Sequence, residues 1–441
     1  MTVTSRWGMQ YQALLDVGFL VDAFVLDSPT DGLLGTSVLD GSTSFVDITE
    51  YVQNINITRG RSTQLEVFNA GAMTLRANDS QANRSFDPLN ESSPWYQGNL
   101  GIAPRRAIKI VAGTADIFSG FIYDLDIIYD EPNLSFAQIS SVDALAQLSQ
   151  TTLNAFTPPN EFASDRISTI LDRPEVGFGT AVAPREINQS ISSVGTVAYE
   201  AGVNTLQALQ EVQIAENGRF FATRSGALRF DERVQASFAT AIATLGGTAA
   251  GAIPITSLEN VYGAETVVNR VSVQISGSST ASIVDGTASQ TSYGIRSLAL
   301  SNVPLENDAA GSALAQDLVT LYENPEVRFT GVTVNLNALS SAQQNFMAAI
   351  EIGDVITVSK EFAAGSPTTV NKTVVVEAVR HTISANQHNV NLSLAPAQIL
   401  TQLILDDAEF GTLSTTNALA GNILADFFVD ISEVDSGFTF T

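Results

Sequence analysis

The stretch VDITEYVQNINITRGR, residues 46–61, opens a run of predicted β-strands near the beginning of this chain. From Val52 onward its residues alternate between two faces, and Ile55 and Ile57 fall on the same face. A period of two residues is typical of a strand that buries one side. Because the alternation stops at Gly60, we predict a strand that ends there in a turn.

Similar patterns follow as far as residue 145 and return after about residue 255. Residues 107–113 and 121–130 alternate in the first of these blocks. In VRFTGVTVNL, residues 327–336, the alternation changes phase at Gly331. A phase change at a glycine predicts a β-bulge, a device that barrels use at their corners. The chain is therefore predicted to be mainly β (α+β).

The residues between the two blocks carry helix and hairpin signals instead. Asp143 and Ser164 are predicted N-caps of two helices, because their side chains can accept hydrogen bonds from a first helical turn. RFFATRSGALRF, residues 219–230, is predicted to be a hairpin that turns on Ser225-Gly226. A further helix is predicted within the second block, from Asp308 to Glu323.

These signals divide the chain into five predicted segments, in which two barrel-like β domains flank a helical region. They are an N-terminal arm (1–50), a first β-barrel domain (51–145), a helical and hairpin region (146–240), a second β-barrel domain (241–396) with an insertion near 277–300, and a C-terminal arm (397–441).

The composition excludes several classes of function. The chain of 441 residues has 21 basic and 46 acidic residues, a formal net charge of −25, so it cannot supply the clustered Lys and Arg that bind a nucleic-acid backbone. It contains no cysteine, which excludes disulfides and thiolate metal sites. No run of about 18 apolar residues occurs, so no transmembrane segment is predicted.

Catalytic patterns are scarce. The only two histidines, His381 and His388, lie on either side of a predicted turn, and we interpret them as packed or solvated side chains. No zinc-protease, nucleophile-elbow or Walker A motif occurs. The acidic strand DLDIIYDE, residues 124–131, is interpreted as a solvated face. We therefore predict no enzyme activity, no metal and no cofactor.

A short phrase occurs twice, as FVDITE at residues 45–50 and as FVDISE at residues 428–433. The match extends upstream in the same order, which makes chance an unlikely origin. We interpret Val25–Glu50 and Ile404–Glu433 as two copies of one docking arm that adds a strand to a partner. Ordinary edge-strand-and-turn units are the alternative. The residues assigned to docking are Phe45 and Ile48 with Phe428 and Ile431 as apolar anchors, and Asp47 and Asp430 as turn caps.

Trp95 and Tyr96 lie side by side in a long loop rich in proline and glycine. Adjacent aromatic side chains can stack on sugars, so a glycan-binding role is one hypothesis. Packing of both rings as a hydrophobic plug is the simpler interpretation.

Residues 46–61 resemble the opening of minor tail proteins from long-tailed, siphovirus-type bacteriophages. In that family an Asp-Ile/Val-Thr phrase leads to a strand ending in Arg-Gly-Arg, here residues 59–61. The resemblance continues through an aromatic-Asp-Pro-x-Asn turn at residues 86–90 and departs near residues 277–300. Later blocks that resemble the family are IFSGFI (117–122), SSVDALAQLS (140–149), AENGRFFATRSGALRF (215–230) and VEAVRHTISANQHNVNLSLAP (376–396).

Such proteins are similar to baseplate hub proteins of contractile phages and to phage late control proteins. In those, two β-barrels of one chain lie side by side and three chains form a ring. The resemblance therefore implies a homotrimer in the virion, at the tail tip, made in the cytoplasm of the bacterial host. It implies a role in tail assembly, host attachment and DNA passage. Its implied partners are the distal tail or tail tube protein, the tape-measure protein, and other minor tail or receptor-binding proteins.

Three alternatives remain open at this point. The chain could be a tail-tip hydrolase that cuts cell-wall polymers, although the missing catalytic motifs count against it. It could be a carbohydrate-binding receptor module. It could also be a distal tail ring built from six copies instead of three.

Overall fold

A computed structural model of the chain describes residues 3–4, 10–16, 45–80, 84–93, 103–130, 134–178, 184–233, 239–263 and 266–397. The described residues contain more β-strand than helix, which confirms that the chain is mainly β. They belong to one compact unit, and one hydrophobic core extends beneath most of its strands and helices.

The first eleven strands are β1 Val3–Thr4, β2 Gln10–Asp16, β3 Phe45–Asp47, β4 Val52–Gly60, β5 Asn69–Ser80, β6 Ala107–Ala112, β7 Ala115–Asp130, β8 Leu134–Val142, β9 Glu161–Phe162, β10 Arg185–Ile187 and β11 Ser193–Val194. The later strands are β12 Arg219–Ala222, β13 Leu228–Asp231, β14 Thr244–Leu245, β15 Ser257–Val261, β16 Arg270–Ile275, β17 Ser282–Asp285, β18 Ser297–Val303, β19 Arg328–Asn335, β20 Val355–Glu361, β21 Thr369–Ser384 and β22 Gln387–Pro396.

The helices are α1 Ala144–Gln150, α2 Ala163–Leu171, α3 Thr205–Glu216, α4 Thr287–Tyr293, α5 Asp308–Tyr322 and α6 Ser341–Ala349, with 3₁₀ turns at Thr49–Tyr51 and Leu336–Ala338. Asp143 caps α1 as predicted, since its side chain accepts a hydrogen bond from the N–H of Leu145. Helix α2 begins at Ala163, before the predicted cap Ser164, and its N-cap Phe162 supplies no side-chain hydrogen bond.

One fourteen-stranded sheet contains most of the strands. Its main path runs β1-β2-β6-β7-β8-β5-β4-β21-β22-β19-β15, with β3 beside β2, β20 beside β21, and β14 beside β20. Strands from both predicted β domains thus share one sheet, joined where β4 pairs with β21. Among the described strands this order does not close on itself into a barrel.

Two groups of five strands within this sheet have the same topology. The first β set comprises β4, β5, β6, β7 and β8, and its spatial order is β4-β5-β8-β7-β6. The second β set comprises β15, β19, β20, β21 and β22, and its spatial order is β15-β19-β22-β21-β20. In both sets the first, second, fifth, fourth and third strands follow one another, and every neighbouring pair is antiparallel.

The likeness of the two sets extends to their register. Strands β7 and β21 are both 16 residues long. Each carries a β-bulge at its ninth residue, Tyr123 in β7 and Glu377 in β21. Since a bulge fixes the local bend and twist of a strand, the two sets repeat a structural detail as well as a strand order. A further bulge lies beside Gly331, as the phase change in the sequence predicted.

The helical region and the insertion form elements that do not belong to the fourteen-stranded sheet. The hairpin β12–β13 turns at Ser225-Gly226, as predicted, and β13 also pairs with β10. The predicted insertion near 277–300 contributes β17 and β18 to a separate sheet of order β17-β16-β18, and helix α4 connects these two strands. Helix α5 packs on that sheet through buried side chains that include Leu314 and Leu318. The five-segment division itself stays a prediction.

Candidate functional site: the junction between the two β sets

The two β sets meet where residues 54–60 of β4 pair with residues 378–384 of β21. Gly60 is the point of closest approach. A side-chain carbon built on Gly60 would lie 2.2 Å from the carbonyl oxygen of Glu377 and 2.5 Å from the Cα of Ala378. Its φ of +104° is also a backbone conformation that favours glycine. Glycine is therefore required here, because the end of β4 lies directly against the bulge of β21.

Glu377, the bulge residue itself, is held between two arginines. Its Oε2 lies 2.7 Å from Nε of Arg61, and its Oε1 lies 2.9 Å from Nη2 of Arg219. All three side chains are buried. Burial alone would raise the pKa of Glu377, but Arg219 and Arg61 together outweigh burial and lower it. The carboxylate therefore stays ionised, and it links the first β set to the hairpin β12–β13.

Arg59 makes a second buried ion pair across the same junction. Its Nη1 lies 2.7 Å from Oε1 of Glu351, a residue that precedes β20. The other carboxylate oxygen of Glu351 accepts a hydrogen bond from the main-chain N–H of Arg224 at 2.7 Å. The Arg-Gly-Arg sequence thus places one arginine on each of two carboxylates.

We call Arg59, Arg61, Arg219, Glu351 and Glu377 the arginine clasp. Breaking a buried ion pair leaves an uncompensated charge, so such a network strongly favours one relative arrangement of its elements. The arrangement holds three parts of the chain in fixed register: the first β set, the second β set and the hairpin. Each charged group of the clasp has an oppositely charged partner, which suits a mechanical role, although Nε and Nη2 of Arg59 are buried without a hydrogen-bond partner.

Sequence patterns revealed only part of the clasp. The motif at residues 59–61 was visible, but Glu351, Glu377 and Arg219 were not singled out among the many charged residues. One signal was available. Arg59 occupies the same face of β4 as Ile55 and Ile57, and an arginine on a buried face needs an acidic partner.

A second buried polar group lies on the hairpin β21–β22. Nδ1 of His381 is 2.9 Å from Nε2 of His388, and Nδ1 of His388 is 2.8 Å from the hydroxyl of Tyr11 on β2. Burial lowers the pKa of His388 to about 3. Burial, then His388 and Arg59, lower the pKa of His381 as well. Both imidazoles are therefore neutral, and they fasten the N-terminal strand to the hairpin β21–β22.

Searches by sequence found no matching family model and no matching curated protein. Two solved structures match over nearly their whole length. The 43 kDa tail protein of prophage MuSo2 from Shewanella oneidensis aligns with a TM-score of 0.54 at 12% identity, covering 88% of this chain and 99% of that one. This chain has the fold of a tail protein. A tail protein from Neisseria meningitidis MC58 also aligns with a TM-score of 0.54 at 12% identity, covering 87% and 96%.

The tail-protein fold contains part of the first predicted docking arm. Phe45 is 36% exposed on β3, so its ring is accessible. Asp47 accepts hydrogen bonds from the main-chain N–H of Thr49 at 2.9 Å and from the Thr49 hydroxyl, which is the geometry of a turn cap. Ile48 is fully buried in the core of its own chain. It would have to leave that core to reach a partner, so Phe45 is the better placed of the two apolar anchors.

The remaining predicted site residues lie outside the described residues. They are Phe428, Asp430 and Ile431 of the second arm, and the loop aromatics Trp95 and Tyr96. The docking and glycan-binding hypotheses for these five side chains stay predictions.

Within the described ranges, no group of three or more His, Asp or Glu side chains is arranged to hold a metal ion. In the same part of the chain, none of the helices has the length and apolar character to cross a membrane.

Proposed function

We propose that this chain is a structural virion protein, the hub or minor tail protein at the distal end of a bacteriophage tail tube. Three copies form a ring that adapts the sixfold symmetry of the tube to a trimeric tip. The ring takes part in tail assembly, host attachment and DNA passage, and it performs no chemistry of its own.

One observation carries this proposal: a tail-protein fold contains two β sets with the same topology and bulge position. A sixfold tube presents six equivalent edges. Three chains that each contribute two similar β units offer six matching surfaces. The arginine clasp supports the same role, since it fixes the two units of a chain in one register. The net charge of −25 suits a channel wall that releases DNA.

The proposed partners follow from this position in the tail. The ring would contact the distal tail or tail tube protein on one side and the tape-measure protein inside. Other minor tail or receptor-binding proteins would attach below.

The copy number is the first test. We expect native mass spectrometry of the assembled protein to give three times the 46.7 kDa mass of one chain. A mass corresponding to six copies would instead favour the distal tail ring. The same preparation should also produce no cleared zone on a cell-wall zymogram, because the proposed function includes no enzyme activity. A cleared zone would identify a cell-wall hydrolase.

The docking arms give a second prediction. A chain truncated after Gly421, which lacks the second copy of the repeated phrase, should still form a trimer but attach poorly to tails. Six tethered arms act at high effective concentration, so the loss of three should weaken attachment strongly. The measurement is the fraction of the truncated chain that co-sediments with tails. Equal attachment of the truncated and full chains would show that the second arm does not dock.

A further inference from the structure

Within one chain, strand β21 is shared between two partners along a single edge. Its first half, residues 369–375, pairs with β20 of its own set. Its second half, residues 378–384, pairs with β4 of the other set. The bulge at Glu377 separates the two halves. The second β set is therefore extended by the first strand of the first β set.

In the first β set, the strand equivalent to β21 is β7. Among the described residues, the second half of the corresponding edge of β7 has no partner strand. Strand β7, the equivalent of β21, pairs with β6 through residues 115–121. Beyond its bulge, residues 124–129 pair with β8 on one edge, and among the described residues no strand pairs with the other edge. Strand β15, the equivalent of β4, pairs with β19 alone within the same described part. Among the residues that the structure describes, one acceptor edge and one donor strand are thus left over.

Both leftover edges expose large apolar side chains. On β7, Tyr123 is 62% exposed, Ile128 46% and Tyr129 51%. At the end of β15, Val261 is 39% exposed and Tyr262 69%. Unpaired strand edges invite pairing with another chain, and the edges here also carry exposed acidic residues, Asp124 and Asp126 on β7 and Glu259 on β15. Exposed apolar side chains on two complementary edges point to an interface between them.

The unpaired edges of β15 and β7 also carry the two features on which the β4–β21 junction depends, a glycine at the strand end and a bulge in the partner strand. Alignment of the two sets by their strand pairings places Gly263 at the position of Gly60 and Tyr123 at the position of Glu377. Gly60 is needed because β4 ends against a bulge. The sequence keeps a glycine at the end of β15 and a bulge in β7, the two features that such a junction requires.

We propose that β15 of one copy adds in antiparallel fashion to residues 124–129 of β7 in the next copy, repeating the internal β4–β21 junction between chains. The equivalence fixes the register: Gly263 lies opposite Asp124, Val261 opposite Asp126, and Glu259 opposite Ile128. Leu258 and Tyr262 then lie on the face that carries Leu125 and Ile127.

The proposed β15–β7 junction rests on the proposed trimer, and it explains how three chains could form a closed ring. Each chain has one junction inside it and forms one with its neighbour, so three chains contain six junctions of one kind. A head-to-tail contact closes into a ring only if its rotation divides a full turn. If the contact between chains repeats the geometry of the contact within a chain, one rotation relates all the β units, and a ring of three chains requires that rotation to be about 60°.

Cysteine cross-linking tests the register directly, because the chain has no cysteine of its own. The test variant carries Asp126→Cys and Val261→Cys, which the proposal places opposite each other. Directly opposed residues of antiparallel strands lie within the range that a disulfide can bridge. The matched control carries Asp126→Cys and Asn260→Cys, because a shift by one residue points the second side chain to the other face. Oxidation is carried out at high ionic strength, which screens Asp124, Asp126 and Glu259 from one another.

We expect the test variant to run as a covalent trimer on a non-reducing gel and the control variant to stay monomeric. Mixing the two single-cysteine variants should give a covalent dimer and nothing larger. If the test variant links no better than the control while native mass spectrometry shows trimers, the strand junction is wrong and the trimer stands. If the chain is monomeric by both measurements, the trimer and the junction both fail.

Discussion

Replacing Glu377 with alanine should lower the free energy of unfolding by about 3–5 kcal/mol, the range expected when one partner of a buried ion pair is removed. The change leaves Arg61 and Arg219 buried without the carboxylate that both contact. The main-chain hydrogen bond from the N–H of Arg61 to the carbonyl of Glu377 is kept, so the change tests the side-chain ion pairs alone. We expect urea unfolding to show a lower midpoint with an unchanged slope.

The matched control for Glu377 is Asp285, which pairs with Arg270 at 2.6 Å on the surface. Asp285→Ala should leave the midpoint nearly unchanged, since exposed ion pairs contribute little. A second variant replaces Glu377, Arg61 and Arg219 together with apolar residues of similar size. It should recover much of the lost stability, because the penalty belongs to the unpaired charges. Equal effects of Glu377→Ala and Asp285→Ala would refute the clasp.

Acidification should destabilise the protein through its two histidines. Their folded pKa values are lowered by burial, that of His388 to about 3, while the unfolded chain protonates near 6.5. The unfolded chain therefore binds more protons below that pH, and stability falls as the pH falls. His388 should contribute a loss of about 2 kcal/mol between pH 7 and pH 5, and His381, whose pKa is also lowered, should add to that loss.

One buried carboxyl acts in the opposite direction over the same range. Burial raises the pKa of Asp143 to about 7, so the folded state binds the extra proton and gains stability as the pH falls from 7 toward 4. The histidine effect is therefore measured as a difference. The difference in unfolding free energy between the wild type and His381→Gln/His388→Gln, a chain without histidine, should narrow by at least about 2 kcal/mol from pH 7 to pH 5. A difference independent of pH would mean that the histidines bind protons equally in the folded and unfolded states, so that their pKa values are not lowered in the folded protein.

Local patterns predicted local structure well. The hairpin on Ser225-Gly226, the bulge beside Gly331, the cap at Asp143 and helix α5 each depend on a few neighbouring residues. His381 and His388 are packed, which is one of the two states that the sequence left open. The resemblance of residues 46–61 to minor tail proteins agrees with the tail-protein fold found for the chain.

Long-range pairing could not be predicted in the same way. The partners of Arg61 are Glu377 and the carbonyl of Glu66, and Glu377 is 316 residues away in the sequence. No short pattern identifies which of 46 acidic residues supplies the partner. The common topology of the two β sets could not be predicted from the sequence either. It consists of a strand order and a bulge position, and the equivalent strands do not share a sequence pattern. NINITRG and SLENVYG share little beyond their final glycine.

The acidic strand at residues 124–131 shows how a local interpretation can be incomplete. Asp124 and Asp126 are indeed exposed, in agreement with a solvated face. The same strand also exposes Ile128 and Tyr129, which solvation does not explain. Comparison of β7 with β21 predicts that a strand of a neighbouring chain pairs with residues 124–129.

The most direct measurement is a cryo-electron microscopy reconstruction of the tail tip that contains this chain. We expect one ring of three chains at a single level, in which six β units are related by nearly sixfold symmetry and the β15–β7 contact repeats the β4–β21 contact. Six chains at that level, or three chains whose β sets occupy dissimilar environments, would contradict a trimeric hub that matches the symmetry of the tube.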